Sequence, residues 1–153
     1  MSNSLLSRKR DLVYFVHFLF ALPFMFLIDL QVIYDPSLVP AFLKKAKGFY
    51  VERYKDRFFV DPPPFFKLFV WSELLVQAPV MLWSLGGLYR NSPNVPLIIL
   101  PFALLVFIAT LTCMVEFLHW DISWHEKFDL TTLYGPYLIL CRRRVFITQK
   151  PGN

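Results

Sequence analysis

Three stretches of this chain are long and apolar enough to cross a bilayer, and this feature limits the possible folds more than any other. They cover residues 12–34, 65–89 and 95–118, and a helix needs about 20 mostly apolar residues to span the hydrocarbon core. Hydrophobic residues make up 56% of the chain, against roughly 45–50% in an ordinary soluble domain. The sequence therefore predicts a membrane protein.

A fourth, weaker segment follows at residues 127–147. Its apolar part ends at Arg142–Arg144, so it spans a bilayer only if these arginines extend to the interface or the helix is short. Each of the four segments carries a proline in its interior, at positions 23, 79, 101 and 136, and a proline there kinks or breaks a helix. We predict an all-α, multi-pass four-helix bundle with kinked helices and an intramembrane cavity, built as a single domain over residues 1–150.

The net charge of +5 does not indicate a nucleic-acid-binding protein, because the basic residues cluster at the edges of the apolar segments. Such clusters favour contact with lipid headgroups or set the topology. The long first loop, residues 35–63, interleaves aromatic and basic residues, which is typical of short amphipathic pieces on the membrane surface or over the end of the bundle. A solvated loop with anchoring aromatic residues is the alternative.

Two acidic residues, Asp29 and Glu73, lie inside the first and second apolar segments. A charged side chain near the bilayer centre is costly, so such residues usually face the bundle interior and mark a functional site. If the two carboxyl groups share a cavity, they are expected to share one proton, and together they offer a hydrogen-bond donor and a negative charge. This combination suits an amphipathic ligand that carries a hydroxyl group or an amine.

Two neutral polar residues belong to the same hypothesis. Gln77 follows Glu73 by one helical turn, on the same face, and Thr110 lies within the third segment. Both could line the pocket, although glutamine and threonine also form hydrogen bonds between membrane helices.

The histidines and cysteines do not predict a metal site or a disulfide. His119 and His125 flank the third loop, where an interfacial belt with neighbouring tryptophans is the favoured interpretation and metal binding is the alternative. His17 is predicted to be a packed or hydrogen-bonded residue, and Cys113 and Cys141 are predicted to pack in apolar surroundings. No cofactor is predicted.

Four sequence motifs carry a resemblance to a known family: FLIDLQVIYDPSLVP, FYVERYKD, PPPFFKLFVWSELLVQAP and LYGPYLI, in this order and spacing. The chain resembles the sigma-2 receptor (transmembrane protein 97) family of the EXPERA superfamily, which also includes the sterol delta8-delta7 isomerase. The resemblance implies a four-helix bundle in the endoplasmic reticulum membrane, often dimeric, with a cavity for sterols and cationic amphiphiles.

The resemblance also implies a set of site residues. Asp29 and Glu73 match the acidic pair of the family's binding site, and Asp56 matches a loop aspartate that supports it. The full predicted ligand-binding set is Asp29, Tyr50, Asp56, Glu73, Gln77, Thr110 and Tyr137. Of these, Tyr50, Asp56 and Tyr137 depend on the resemblance.

The predicted function is binding of sterols or cationic amphiphiles without catalysis, in intracellular sterol handling, and two alternatives remain open. The first is a sterol isomerase. The resemblance implies that the isomerase branch uses a histidine and a glutamate at the positions where this chain has Glu73 and Gln77, and glutamine cannot transfer the proton that moving a sterol double bond requires. The second is a factor that assists the targeting of mitochondrial precursor proteins, as the resemblance to fungal members implies; the first loop and protein-import or lipid-transport partners would then matter more.

Overall fold

In a computed structural model of the chain, residues 4–147 are described, with side chains through Ile139. All regular secondary structure in this part of the chain is helical, which confirms the predicted all-α class. The main helices are α1 Lys9–Leu27, α2 Ala41–Tyr54, α3 Pro64–Ser72, α4 Ala78–Tyr89, α5 Val95–Leu118 and α6 Trp124–Ile147. Single turns of 3-10 helix lie at Leu5–Ser7, Asp29–Val32 and Arg57–Phe59.

The sequence predicts one helix over residues 12–34. In the structure α1 ends at Leu27 and a 3-10 turn follows, so the first apolar segment is not one continuous α-helix. The side-chain amide of Gln31 donates to the carbonyl oxygens of Leu27 at 2.5 Å and Leu43 at 3.2 Å. It thereby satisfies a carbonyl group that the end of the helix leaves without a partner. Asp29 consequently lies in this tighter turn, just beyond the regular helix.

The second segment forms one span, from Pro64 to Tyr89, that is interrupted by a π-helical turn at Glu73–Gln77. Within this turn the amide of Ala78 donates to the carbonyl of Glu73, one residue further back than in an α-helix. Pro79 follows immediately, and a proline ring clashes with the carbonyl four residues before it in regular α-helix. The wider turn relieves that clash, and it carries both polar residues predicted on this helix.

Helix α5 has the predicted bounds, whereas α6 begins earlier than the predicted residue 127, at Trp124. The cause is a reciprocal cap: the backbone amide and hydroxyl of Ser123 donate to Glu126 Oε2 at 2.8 and 2.9 Å, and the Glu126 amide donates to Ser123 Oγ. This serine-to-glutamate spacing is a capping box. The 24 residues of α6 extend for about 36 Å, and the side chains of Arg142–Arg144 lie outside the described residues.

The long helices form a bundle in which α4 packs between α1 and α5, and α6 packs along α5. Three spans, Lys9–Val32, Pro64–Tyr89 and Val95–Leu118, are long and apolar enough to cross a membrane. Large apolar side chains point outward from them; Phe20 is 64% exposed and Leu97 is 75% exposed. This arrangement suits a bundle whose outer surface faces lipid, because contact of so many large apolar side chains with water would be unfavourable.

The first loop closes one end of the bundle through α2 and the 3-10 turn after it. One stripe of α2 is partly buried against the core and includes Tyr50, Val51 and Tyr54, whereas Lys44 and Lys45 lie exposed on other faces. Phe58 is fully buried and stacks on a phenylalanine of α3, with ring centroids 4.6 Å apart. The loop is therefore ordered by aromatic packing and is part of the core.

Candidate functional site

A cavity of about 530 Å³ lies inside the bundle. Residues from α1, α2, the π turn, α5 and α6 line it, and most of them are aromatic or aliphatic. Six of the seven predicted site residues share this cavity: Asp29, Tyr50, Glu73, Gln77, Thr110 and Tyr137. The geometry therefore brings together polar groups that are widely separated in the sequence.

The acidic pair enters the cavity from two irregular turns. Asp29 comes from the 3-10 turn after α1, and Glu73 is the first residue of the π turn. Glu73 Oε2 is buried and accepts no hydrogen bond from any described residue. A buried carboxylate oxygen without a donor is costly, so this atom is available to a ligand.

Gln77 and Thr110 supply neutral polar groups to the same wall. Both are buried side chains, and the amide nitrogen of Gln77 lies 3.5 Å from the Ser72 hydroxyl. A contact of this length is weak, so the Gln77 amide keeps hydrogen-bonding capacity for a ligand.

Asp56 does not line the cavity, contrary to its place in the predicted ligand-binding set. Its fully buried carboxyl accepts hydrogen bonds at Oδ2 from the hydroxyls of Tyr50, at 2.9 Å, and Tyr134, at 3.0 Å, and at Oδ1 from the Phe58 amide at 3.0 Å. The resemblance identified a supporting aspartate, and the structure shows what it supports. Asp56 holds two tyrosines that themselves line the cavity.

Burial raises the pKa of the Asp56 carboxyl, and its three hydrogen bonds act in the opposite direction. Burial also raises the pKa of the Tyr50 phenol, with a further contribution from the negative charge of Asp56. Tyr50 therefore stays protonated and remains a hydrogen-bond donor. The network ties α2, the first loop and α6 together beneath the cavity.

The predicted site did not include Tyr134 or His17, both of which line the cavity. The signal for Tyr134 was present in the motif YGPY, where it precedes Tyr137 by one helical turn and so shares its face. His17 was predicted to be a packed or hydrogen-bonded residue, and its ring does pack against Tyr137 edge to face, with centroids 5.7 Å apart. This ring contact connects α1 and α6, which do not pack along each other as α5 and α6 do.

The remaining candidate ligands for a metal do not converge. His119 Nδ1 lies 2.7 Å from the Val115 carbonyl oxygen, and His125 lies 3.5 Å from Asp129. Among the described residues, no group of three or more histidine, cysteine or acidic side chains is placed to hold a metal ion. Cys113 is buried and lines the cavity.

Three of the residues that line the cavity, one each from α1, α2 and α6, are exposed aromatic side chains: Phe24 at 65%, Phe49 at 71% and Tyr137 at 40%. Asp29 and Glu73 are less exposed than these three side chains, so the most accessible part of the lining is aromatic. This arrangement can accept an elongated, mostly apolar molecule that has a polar or cationic group at one end.

Comparison with known proteins identifies the family. The sequence model of EXPERA (EXPanded EBP superfamily) matches residues 42–141, which is more than half of the chain. Sigma intracellular receptor 2 from Xenopus tropicalis is 36% identical over 73 residues, a match that covers 48% of this chain and 43% of that protein. The proteins of the same name from Macaca fascicularis and Homo sapiens are each 26% identical over 141 residues, covering 82% of this chain and 78% of theirs. These matches confirm the predicted resemblance: the chain belongs to the EXPERA superfamily.

Proposed function

We propose that this protein binds sterols or cationic amphiphiles in its intramembrane cavity, and that it serves intracellular sterol or lipid handling at the endoplasmic reticulum membrane. The observation that carries the proposal is the buried, unpartnered carboxylate oxygen of Glu73 in a cavity that it shares with Asp29. A cavity of this size is typical of sites for small molecules, which are mostly apolar with a few convergent polar groups.

The position of the acidic groups supports a ligand with one polar end. Asp29 and Glu73 can accept a hydrogen bond from a sterol hydroxyl or pair with an ammonium group, and charge-assisted hydrogen bonds are the stronger kind. Tyr50 and Tyr137 add hydroxyls and aromatic faces, and such faces attract cations. The rest of the lining suits a rigid hydrocarbon body.

The exposed aromatic part of the lining supports entry of the ligand from the bilayer. Phe24, Phe49 and Tyr137 present aromatic surface to the outside at this point, so a hydrophobic molecule dissolved in lipid need not pass through water. The relatives are named as intracellular receptors, and this name favours binding over turnover. Gln77 stands where the resemblance implies a proton-transferring residue in the isomerase branch, and glutamine cannot transfer a proton. We propose that the protein therefore has no sterol isomerase activity.

The alternative function, assistance in targeting mitochondrial precursor proteins, draws on the exposed surface of α2. Phe42 is 67% exposed and Phe49 is 71% exposed, and the exposed lysines Lys44 and Lys45 lie near them on the same helix. A basic, aromatic surface suits an amphipathic peptide segment. This function would depend on α2 and would not be affected by substitution of Asp29 or Glu73.

Equilibrium binding of a radiolabelled sterol and a radiolabelled cationic amphiphile to the purified protein in detergent tests the proposal. We expect saturable binding by the wild type and a loss of about tenfold or more in affinity for the amphiphile in Glu73→Gln and Asp29→Asn. Glu116→Gln is the matched control, because Glu116 is exposed on α5 and does not line the cavity.

Unchanged affinity in folded Glu73→Gln and Asp29→Asn protein would contradict the binding function. Precursor binding that survives these substitutions but is lost in Phe42→Ala or Lys45→Gln would support the targeting function. Turnover of a delta8 sterol by the wild type would show that the protein is an enzyme after all.

A further inference from the structure

A second cavity, of about 580 Å³, lies at the end of the bundle where the first loop meets the connection between α5 and α6. Its walls come from the last turn of α2, the residues around the Arg57–Phe59 turn, and residues 121–126. It shares no lining residue with the intramembrane cavity. It is also more open, so it forms a groove on the surface.

The groove carries both signs of charge. Its cationic groups are Lys55 and Arg57, and its acidic groups are Glu52, Asp121 and Glu126. Among the described residues, the ion pairs are those of Arg8 with Asp11 and of Asp129 with Arg53 and His125. No ion pair therefore joins two residues of the groove, although the charge of Lys55 contributes, after the hydrogen bonds from Ser123, to lowering the pKa of the Glu126 carboxyl.

Arg57 is held in place across the groove. Its Nη2 donates to the Asp121 carbonyl oxygen at 3.0 Å, and its guanidinium group lies over the Trp120 ring, 5.7 Å from the centroid. A guanidinium group has five donors, and no other hydrogen bond from Arg57 to a described residue is found. The fixed orientation leaves donors for an anionic group, at a low entropic cost.

The acidic residues of the groove differ in whether their carboxylates already accept hydrogen bonds. Glu126 is engaged by Ser123 in the cap of α6. The side-chain carboxylates of Glu52 and Asp121 make no hydrogen bond or ion pair with a described residue, and Lys55 makes none either. An unpaired cation and unpaired carboxylates in one groove favour a ligand that itself carries both charges.

The surroundings place this groove at the membrane interface. Trp124 is 82% exposed, Phe128 is 70% exposed and Val60 is 66% exposed, close to the points where α5 ends and α3 and α6 begin. Exposed aromatic residues at the ends of spanning helices mark the headgroup region of a bilayer. Val51, Val60 and Ile122 also line the groove, so it offers apolar surface to the upper part of an acyl chain.

We propose that this groove binds the headgroup of a zwitterionic phospholipid that carries a primary ammonium group, such as phosphatidylethanolamine. Arg57 and Lys55 contact the phosphate, and Glu52 and Asp121 accept hydrogen bonds from the ammonium group. A quaternary ammonium group has no N–H to donate and is usually recognised by aromatic rings, and the described lining of the groove contains none. The site is independent of the sterol or amphiphile cavity.

The test is lipid binding to the full-length protein in mild detergent, followed by native mass spectrometry. The probes are phosphatidylethanolamine, phosphatidylcholine and phosphatidylglycerol with matched acyl chains, and free phosphoethanolamine. We expect one-to-one binding of phosphatidylethanolamine that exceeds binding of the other probes. Arg57→Gln should weaken it about tenfold, and Asp121→Asn should remove the preference over phosphatidylglycerol.

Arg53→Gln is the matched control, because Arg53 pairs with Asp129 at 2.8 Å and does not line the groove. If Arg57→Gln fails to fold, Lys55→Asn replaces it, since Lys55 has a positive φ of 54° that asparagine adopts readily. Equal binding of all three lipids, or binding that is unaffected by Arg57→Gln or its replacement, would overturn the proposal. Equally tight binding of free phosphoethanolamine would show a site for a soluble ligand and would also overturn it.

Discussion

The hydrogen bond from Tyr134 to Asp56 is expected to make a large contribution to stability, because it joins α6 to the first loop at a buried carboxyl. The Tyr134 hydroxyl lies 3.0 Å from Asp56 Oδ2, and the Tyr50 hydroxyl lies 2.9 Å from the same atom. Tyr134→Phe removes one donor and keeps the ring. A hydrogen bond to a charged group contributes about 1.5–3 kcal/mol, so we expect the free energy of unfolding to fall by that amount while Asp56 is ionised.

The cost of this substitution should depend on pH. Burial raises the pKa of Asp56, so the folded protein keeps the proton at pH values where the unfolded chain has lost it. The stability that Asp56 contributes is thus fully present below the ordinary aspartate pKa and is lost as the pH rises through the folded-state pKa. The Tyr134 hydrogen bond opposes this loss. Its removal should cost about 0.5–1.5 kcal/mol where Asp56 is protonated, as for a neutral hydrogen bond, and more where it is ionised.

Thermal unfolding of the purified protein, followed by the fluorescence of its 4 tryptophans over a range of pH, measures this difference. A change of 1 kcal/mol shifts the melting temperature by about 2–4 °C in a chain of this size. Tyr89→Phe is the control, because Tyr89 is 71% exposed. A Tyr134→Phe protein that melts with the control, or whose deficit is the same at every pH, would refute the reasoning.

Further predictions concern the packing of the helices. Gly87→Ala should destabilise the bundle by about 1–3 kcal/mol through overpacking, because its Cβ would lie 2.5 Å from a methyl carbon of α5; Gly135→Ala, with nothing within 4 Å, is the control in the same melting assay. Arg8→Gln should lower the melting temperature and Arg10→Gln should not, because Arg8 donates to a carbonyl oxygen at the end of α4 at 2.8 Å; equal effects would contradict this. Phe58→Ala should cost about 3–5 kcal/mol, since Phe58 is fully buried, and proteolysis of the first loop would report its release.

The acidic pair could be found from the sequence because charge inside an apolar segment is visible without a structure. Asp29 and Glu73 interrupt runs that must otherwise cross a membrane, and the cost of burying them points to a shared, functional environment. The same reasoning indicated Gln77 and Thr110, but less strongly, because neutral polar residues also form hydrogen bonds between membrane helices. That these four side chains line one cavity follows from the packing of separate helices, which a single sequence does not encode in any local pattern.

The burial of Asp56 could not be predicted from its position in a charged loop. In sequence it stands between basic residues, and such a stretch usually lies in water. In the structure it is fully buried under Tyr50 and Tyr134, because the phenylalanines of the following turn pack into the core and carry the aspartate inward. The YGPY motif indicates that Tyr134 shares a helix face with Tyr137, but its hydrogen bond to Asp56 joins residues 78 positions apart and follows no local pattern.

The sequence by itself determined that this chain enters a membrane as a helical bundle, because apolar segments of sufficient length have no other stable environment and must satisfy their backbone hydrogen bonds internally. It also determined which carboxyl groups are placed in that bundle. The tertiary structure decided that α1 gives way to a tighter turn at Asp29, that a π turn carries Glu73 and Gln77, and that Asp56 supports the cavity without lining it. These features depend on contacts between residues far apart in the chain, such as Gln31 with Leu43 and Asp56 with Tyr134, and such contacts form only when the helices have packed.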